Sequence, residues 1–216
     1  INRNVRQRGS DFYLIRTVAF WKLWLNSHLP DLSVIPDKAA KQYERSLLII
    51  RTQVDNEGAI IAANDSDIST AIRDTYNYMW PRDGALVANA LNRADYVDLP
   101  REFFKFIQRV ITRESYLLHK YNPNGSLASS WHPWLRAGEK YLPIQGDETA
   151  LVLWALWQHF DHFGDVHFIK PLYRTLICPA ANFLAEYRDS ETGLPLPSYD
   201  LWEEHYGILG WTIGVI

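Results

Sequence analysis

The chain has 216 residues, of which 47% are hydrophobic, and this is enough apolar material for a folded domain with a sizeable core. Its 22 Lys and Arg residues nearly balance its 25 Asp and Glu residues, and the net charge of -3 argues against a nucleic-acid partner. The single cysteine, Cys178, cannot form an intramolecular disulfide. We therefore expect a reducing, cytoplasmic location.

The N-terminal segment, residues 1–10, lacks both a starting Met and the apolar core of a signal peptide. We therefore expect the chain to be a piece of a longer protein. Apolar runs such as residues 150–157 are far shorter than the roughly 20 residues that a membrane-spanning helix needs. No transmembrane helix and no membrane partner are expected.

Helices are predicted along most of the chain. Apolar residues recur with a period of about 3.6 over residues 11–26, which predicts an amphipathic helix that Pro30 ends. A second helix should follow Pro36, since proline suits a first helical turn. Its buried face should consist of Ala40, Tyr43, Leu47 and Ile50. Residues 59–63 are expected to form a short strand or an extended segment.

Four further helical segments follow. Residues 83–94 are helical by composition, and residues 100–115 carry an apolar stripe opposite a basic face. That stripe consists of Phe103, Ile107, Val110 and Ile111. Residues 148–160 are apolar almost all round, which predicts a helix covered on every side. Residues 167–187 are amphipathic, although Pro171 and Pro179 should break or kink this helix.

Long loops separate these helices. Residues 121–145 and 190–207 are rich in Trp, Tyr, Gly and Pro, and loops of this length usually hold function. The alternation of fully apolar and half-polar helices favours a two-layer, all-helical toroid with the loops gathered at one end. The five or six helices in view amount to about half of such a toroid.

The first group of candidate site residues precedes the helix at residues 83–94. Tyr76, Trp80, Arg82 and Asp83 place stacking faces beside a fixed donor and a fixed acceptor. This combination suits a sugar, which has apolar faces and a rim of hydroxyl groups. The alternative is that Arg82 and Asp83 only pair with each other and cap the helix.

The second group lies in the loop at residues 190–207. Asp200, Glu203 and Glu204 occur within six residues of Tyr199 and beside Trp202. Two adjacent glutamates in a partly desolvated site should not both be ionised, so the pKa of one should rise and that residue could donate a proton. The alternative is an acidic dipeptide on a solvated surface.

These motifs resemble those of the glucoamylases of glycoside hydrolase family 15. The pattern Tyr-x-Tyr-x-Trp-x-Arg-Asp starts at Tyr76, Gln-Gly-Asp-Glu-Thr-Ala-Leu starts at Gln145, and Tyr-Asp-Leu-Trp-Glu-Glu starts at Tyr199. The resemblance covers roughly residues 40–207. It implies an all-α (α/α)6 barrel, of which residues 1–216 form about the first half of a single catalytic domain, truncated at the C-terminus and at the N-terminus.

The resemblance also implies roles for single residues. Glu203 matches the general acid of an inverting hydrolase that releases terminal glucose from α-linked glucans, and Asp200 matches a carboxylate that supports the acid electrostatically. The substrate-binding positions are Tyr76, Trp80, Arg82, Asp83, Trp202, Glu204 and Tyr141, the last standing where fungal relatives have a Trp. The family's catalytic base lies in the half that this chain lacks, so the chain alone should be inactive.

Three further expectations complete the functional interpretation. No cofactor is implied, and the best histidine pair, His159 and His162, is a weak candidate for a metal site. The expected partner is an α-glucan or a malto-oligosaccharide, and exposed barrel edges could associate. The alternatives are a non-catalytic glucan-binding or regulatory module, like the glucoamylase-like domain of phosphorylase kinase regulatory subunits, and a helical interaction scaffold.

Overall fold

The computed structural model describes residues 2–64, 76–128, 135–140 and 144–216. The chain divides into two compact units, Ile1–Thr52 and Gln53–Ile216. Helices predominate in both units. The predicted all-α class is therefore confirmed in the described part of the chain.

The first unit consists of two helices. Helix α1 spans Asn2–Asn26, and Gly9 interrupts it with a non-helical backbone conformation at φ 70° and ψ 165°. Helix α2 spans Asp37–Gln53 and starts directly after Pro36, as predicted. Leu47 is buried on the predicted inner face of α2, whereas Ala40, Tyr43 and Ile50 are half-buried.

The second unit contains the remaining helices. They are α3 Pro81–Arg93, α4 Asp98–Val110, α5 Gly146–Phe163, α6 Val166–Leu172, α7 Cys178–Glu186 and α8 Gly210–Val215. Helix α3 packs mainly against α5, and α5 also contacts α4, α7 and α8. A π-helical turn at Tyr173–Ile177 joins α6 to α7. None of the described helices has the length and apolar composition needed to cross a membrane.

The core of the second unit is centred on α4. Phe103, Phe104, Phe106 and Ile107 are fully buried, so the predicted stripe is confirmed and extended by two phenylalanines. The predicted end of this helix at residue 115 is wrong, since α4 ends at Val110.

A side chain accounts for this early helix end. The Thr112 hydroxyl oxygen accepts a hydrogen bond from the Tyr116 backbone N–H at 3.2 Å, and the Thr112 backbone N–H donates to the Tyr116 carbonyl at 3.0 Å. These bonds close a turn in which Ser115 adopts a left-handed conformation at φ 73°. A local turn stabilised in this way competes with continuation of the helix.

Two other helix predictions have different outcomes. The expectation that the helix at residues 148–160 is covered on every side is wrong, because Trp154 and Trp157 are 39% and 57% exposed. The expected disturbance by proline is confirmed, because the π-helical turn follows Pro171 and α7 restarts with Pro179 in its first turn.

The described strands are two short antiparallel pairs. Leu135–Arg136 (β1) pairs with Glu139–Lys140 (β2), and Ser198–Tyr199 (β3) pairs with Tyr206–Gly207 (β4). Each pair lies in one of the two long loops. The segment 59–63 is extended, with one isolated bridge between Val54 and Ile60.

Candidate active site

The first part of the site is the entry to α3. Met79 exchanges two backbone hydrogen bonds with Tyr121, both of 2.9 Å, and this fixes the chain just before the helix. Trp80 then adopts an extended conformation and Pro81 starts α3. Proline suits this position, because the N–H that it lacks would have no hydrogen-bond partner within the helix. Trp80 is buried with 4% exposure. Arg82 and Asp83 therefore lie in the first turn of α3.

The second part is the N-terminus of α5, which carries buried acidic and amide side chains. Arg82 Nη1 donates a hydrogen bond to Gln145 Oε1 and a second one to Asp147 Oδ2 at 3.1 Å. Two other carboxylates surround the same guanidinium, with Glu148 Oε1 at 3.7 Å from Nη1 and Asp83 Oδ2 at 3.8 Å from Nε. The packing of α3 against α5 thus joins two of the motifs that the sequence separates.

The charges of this cluster change the pKa values of its members. Burial opposes the charge of Arg82, but Glu148, Asp147 and Asp83 outweigh it and raise the pKa of Arg82. Glu148 is fully buried, and burial raises its pKa well above the ordinary value against the attraction of Arg82. An isolated buried carboxylate is costly, so Glu148 retains a proton far more readily than an exposed glutamate does.

The third part is the turn between β3 and β4. This hairpin is attached to the start of α5 by two hydrogen bonds, from Gly146 N–H to Ser198 Oγ at 3.2 Å and from Tyr199 N–H to Ile144 O at 3.1 Å. A Cβ atom on Gly146 would lie 3.1 Å from Thr212 Cγ2, so a glycine suits this close approach. The hairpin thereby brings its turn next to the first turns of α3 and α5.

Asp200 organises this turn. Its Oδ1 accepts hydrogen bonds from the backbone N–H groups of Glu204 at 2.8 Å and His205 at 3.2 Å, and its Oδ2 lies 3.1 Å from His205 Nδ1. Burial disfavours the charged form of Asp200, but these bonds outweigh it and hold the pKa below its ordinary value. Asp200 is therefore an ionised carboxylate that is engaged with its own loop.

Glu203 follows in a left-handed backbone conformation at φ 63°. Such a conformation is uncommon for a glutamate and is typical of constrained functional positions. The Glu203 backbone N–H donates to Asp200 O at 3.0 Å, and Trp80 Nε1 donates to Glu203 Oε1, also at 3.0 Å. Burial raises the pKa of Glu203, while the Trp80 bond and the charges of Lys120 and Arg82 act in the opposite direction.

These three parts enclose a cavity of about 490 Å³. This volume lies within the range of about 300–1,000 Å³ that is usual for small-molecule sites. Tyr76 and Trp202 present large apolar surfaces there, since they are 59% and 76% exposed. The lining residues are Ala62, Tyr76, Trp80, Arg82, Asp83, Leu201, Trp202 and Glu203.

The structure brings together most of the residues that the sequence singled out. Tyr76, Trp80, Arg82, Asp83, Trp202 and Glu203 all line this cavity. Asp200 and Glu204 are not among the lining residues, since Asp200 bonds to its own turn and Glu204 is exposed. Tyr141 lies outside the described residues.

Sequence reasoning missed three contributors to the site. Lys120 is fully buried and lies over the rings of Tyr78 and Trp80, although nothing near it in the sequence indicates a site. Trp211 Nε1 donates to Asp147 Oδ2 at 2.9 Å. Asp147 belongs to a recognised motif, but its contact with Arg82 depends on helix packing and not on a local pattern.

The two histidines of α5 contact other side chains. His159 Nδ1 lies 2.8 Å from Asn92 Oδ1, and His162 Nε2 lies 2.6 Å from Asp95 Oδ1. Within the described ranges, no three His, Cys, Asp or Glu side chains form a group that could hold a metal ion.

A half-buried acid in an aromatic-lined cavity on a helical scaffold is an arrangement that a glycosidase could use. The sequence supports this class directly, since residues 38–213 match the model of the glycosyl hydrolases family 15. The chain belongs to this family.

Individual relatives agree. An uncharacterized glycosyl hydrolase of Methanocaldococcus jannaschii is 32% identical over 171 residues, which are 79% of this chain and 24% of the relative. Solved structures of a glycosidase with a glutamate-to-alanine substitution, one of them in complex with glucose, show 23% identity and a TM-score of 0.56. They cover 77% of this chain and 44% of the glycosidase chain.

These comparisons show the fold and the share of each relative that the chain covers. At 23% identity, the likeness to the solved glycosidases shows the fold alone, and it agrees with the predicted all-α fold class. The chain spans about a quarter of the length of the curated relative that it matches and less than half of the solved glycosidase.

Proposed function

We propose that this chain carries the acid-bearing part of the active site of an inverting glucoamylase-type hydrolase, which releases terminal glucose from α-linked glucans. The observation that carries this proposal is the hydrogen bond of 3.0 Å from Trp80 Nε1 to Glu203 Oε1, in the same cavity as Arg82. Family membership supports a glycosidase, and one solved glycosidase of similar fold is in complex with glucose.

Glu203 is the proposed general acid. Burial raises its pKa, so a larger fraction of Glu203 is protonated near neutral pH than for an exposed glutamate. In the reaction, Glu203 gives its proton to the glycosidic oxygen as the bond from this oxygen to the anomeric carbon breaks. The departing sugar leaves as an alcohol, and Glu203 is left as a carboxylate whose charge the Trp80 N–H stabilises.

Arg82 is the proposed anchor of the terminal glucose. Gln145 and Asp147 hold its guanidinium in one orientation, so little side-chain freedom remains to be lost when a sugar binds. Asp83 lines the cavity beside Arg82 and offers acceptor oxygens to sugar hydroxyl groups. The exposed rings of Tyr76 and Trp202 would pack against the apolar faces of the sugar.

The proposed general base lies outside this chain. An inverting enzyme needs a second carboxylate on the far side of the sugar, about 6.5–9.5 Å from the acid, to activate water. Asp200 does not suit this role, because both of its oxygens are engaged within its own turn. On this proposal, the 216 residues alone have little or no activity on maltose or maltoheptaose.

The decisive experiment is Glu203→Gln in the full-length protein. The amide keeps the size of the side chain but cannot deliver a proton, so kcat should fall by at least about 10²-fold while KM changes little. Arg82→Ala should instead weaken substrate binding as well. Glu191→Gln, the same change at an exposed position of the same loop, is the matched control and should leave both constants unchanged.

Two outcomes would contradict the proposal. Near-normal turnover by Glu203→Gln would remove the general-acid assignment. Binding of malto-oligosaccharides by the unmodified full-length protein without any turnover would favour the non-catalytic glucan-binding module.

A further inference from the structure

A lysine of the second unit is buried beside the site, although it does not line the cavity. Lys120 has 0% exposure, and full burial is rare for lysine because its ammonium loses its hydration. The ammonium lies over two aromatic rings, 4.6 Å from the centroid of Tyr78 and 5.7 Å from that of Trp80. Contacts at this distance stabilise a cation through the negative face of the ring.

The backbone explains this placement. Met79 and Tyr121 form an antiparallel bridge, so Lys120 stands directly opposite Trp80. Tyr78 and Trp80 are two residues apart in this extended segment and therefore project to the same side. Their rings are 5.9 Å apart in an edge-to-face arrangement, so Lys120 meets both of them.

We propose that Lys120 is a positioning residue for the general acid, which holds the Trp80 indole against Glu203 and supplies positive charge beside that carboxyl. This inference rests on the proposed function, in which Glu203 donates the proton. It adds a residue that is not among those lining the cavity. Its effect reaches Glu203 through Trp80, whose Nε1 donates to Glu203 Oε1 at 3.0 Å.

The effect has a defined physical basis. A cation on the face of an indole withdraws electron density from the ring, which strengthens the indole N–H as a hydrogen-bond donor. The N–H of Trp80 then favours the ionised form of Glu203. The positive charge of Lys120 acts on Glu203 in the same direction.

Other charged groups face Glu203 from the neighbouring elements. Arg82 approaches from α3 and lowers the pKa of Glu203, and on α5 the charge of Glu203 contributes to the raised pKa of Glu148. On its own loop, Asp200 and His205 are paired with each other, and Glu204 is exposed. Lys120 and Arg82 are therefore the two cations that oppose the effect of burial on Glu203.

The test is Lys120→Met in the full-length protein, since methionine keeps an apolar stem without the charge. Loss of the cation raises the pKa of Glu203, which must be protonated to act. The basic limb of the profile of kcat/KM against pH should therefore move to higher pH by about 1 unit. Lys120→Arg keeps a cation and should leave this limb in place.

Lys105→Met is the matched control. Lys105 lies on the exposed face of α4, where it pairs with Glu102 at 2.7 Å. This variant should keep the wild-type profile. If Lys120→Met lowers activity at every pH without moving the basic limb, Lys120 only supports the fold and the proposal is wrong.

A second measurement does not depend on turnover. The Nε1–H resonance of Trp80, assigned with Trp80→Phe, should titrate with Glu203 in two-dimensional NMR spectra. Its midpoint should rise in Lys120→Met, and the titration should vanish in Glu203→Gln. If Lys120→Met does not fold, Tyr78→Leu replaces it in this test. This variant removes one of the two rings that contact the Lys120 ammonium, so the midpoint should move in the same direction by a smaller amount.

The two proposals fail in different ways. Full turnover by Glu203→Gln refutes the general acid, whatever the indole titration shows. The role of Lys120 alone is refuted if Glu203→Gln loses turnover but the midpoint of the Trp80 Nε1–H titration does not move in the folded Lys120→Met or Tyr78→Leu variant.

Discussion

Gly84 lies where the first turn of α3 approaches the core, and its replacement by alanine tests how closely α3 and α4 pack. A Cβ atom on Gly84 would lie 2.4 Å from Cε2 and 2.8 Å from Cζ of Phe103. Phe103 has 0% exposure, so its ring has no solvent-facing space into which to move. Gly84→Ala therefore forces either the ring or the helix to shift.

The magnitude follows from two opposing effects. Overpacking of a core costs about 1–3 kcal/mol, whereas alanine is favoured over glycine in a helix by about 1 kcal/mol. Because a separation of 2.4 Å is far shorter than a normal van der Waals contact, the overpacking cost should lie in the upper part of its range, at about 2–3 kcal/mol, and the net loss in the free energy of unfolding should be about 1–2 kcal/mol. Because Arg82 and Asp83 immediately precede Gly84, the shift of the ring or the helix should also lower the kcat/KM of the full-length protein.

Urea unfolding of the wild-type protein and the variant measures this loss directly. Gly214→Ala in α8 is the control, because a Cβ atom there meets nothing within 4 Å. This control should be neutral or slightly stabilising. Wild-type stability in Gly84→Ala would refute the argument, since it would mean that the contact between α3 and α4 is looser than the structure shows.

Two further predictions concern single side chains. Burial, with the charge of Arg101, lowers the pKa of His159 from 6.5 to about 4, so the unfolded chain takes up a proton first as the pH falls. The free energy of unfolding should therefore fall by at most about 3 kcal/mol between about pH 6.5 and pH 4. Urea titrations at several pH values measure this fall, and His159→Gln should make it smaller. An unchanged dependence of the free energy of unfolding on pH in His159→Gln would show that His159 is not its source. Asp200→Ala removes the acceptor of the N–H groups of Glu204 and His205 and should lower kcat, whereas Asp200→Asn keeps Oδ1 as an acceptor and should retain most of it. Equal losses in both variants would instead support a purely electrostatic role for Asp200.

Sequence patterns predicted the helices well where neighbouring residues determine where a helix begins and which face is buried. The apolar stripe of α4 and the start of α2 after Pro36 follow from spacing and from the fixed φ of proline. The end of α4 could not be predicted, since it depends on the turn that Thr112 forms with Tyr116. The exposure of Trp157 was also missed, because composition shows that a residue is apolar but not which element covers it.

The residues of the candidate site could be predicted from the sequence, but the contacts between them could not. Trp80, Arg82 and Glu203 belong to dense groups of aromatic and charged residues, and such groups are visible in a sequence. The contacts between the groups are not visible there. Lys120 reaches Trp80 only through the backbone bridge at Met79, which no local pattern in the sequence indicates.

The electrostatics of the helix ends explain why the site is built on α3 and α5 together. A cation in the first turn of a helix is unfavourable, because the helix N-terminus is itself positive, and Arg82 occupies this position in α3. Asp147 and Glu148 are favourable in the first turn of α5, but their burial is costly without a positive partner. Packing of the two helices compensates both costs through the contact of 3.1 Å between Arg82 and Asp147.

The proposed general acid is attached differently. Glu203 belongs to a hairpin that hydrogen bonds from Gly146 to Ser198 and from Tyr199 to Ile144 fasten to α5. The proposed sugar anchor Arg82 thus depends on the core, whereas the acid depends on a loop. Changes that loosen the hairpin should consequently reduce kcat more than they raise KM, while changes between α3 and α5 should impair both constants.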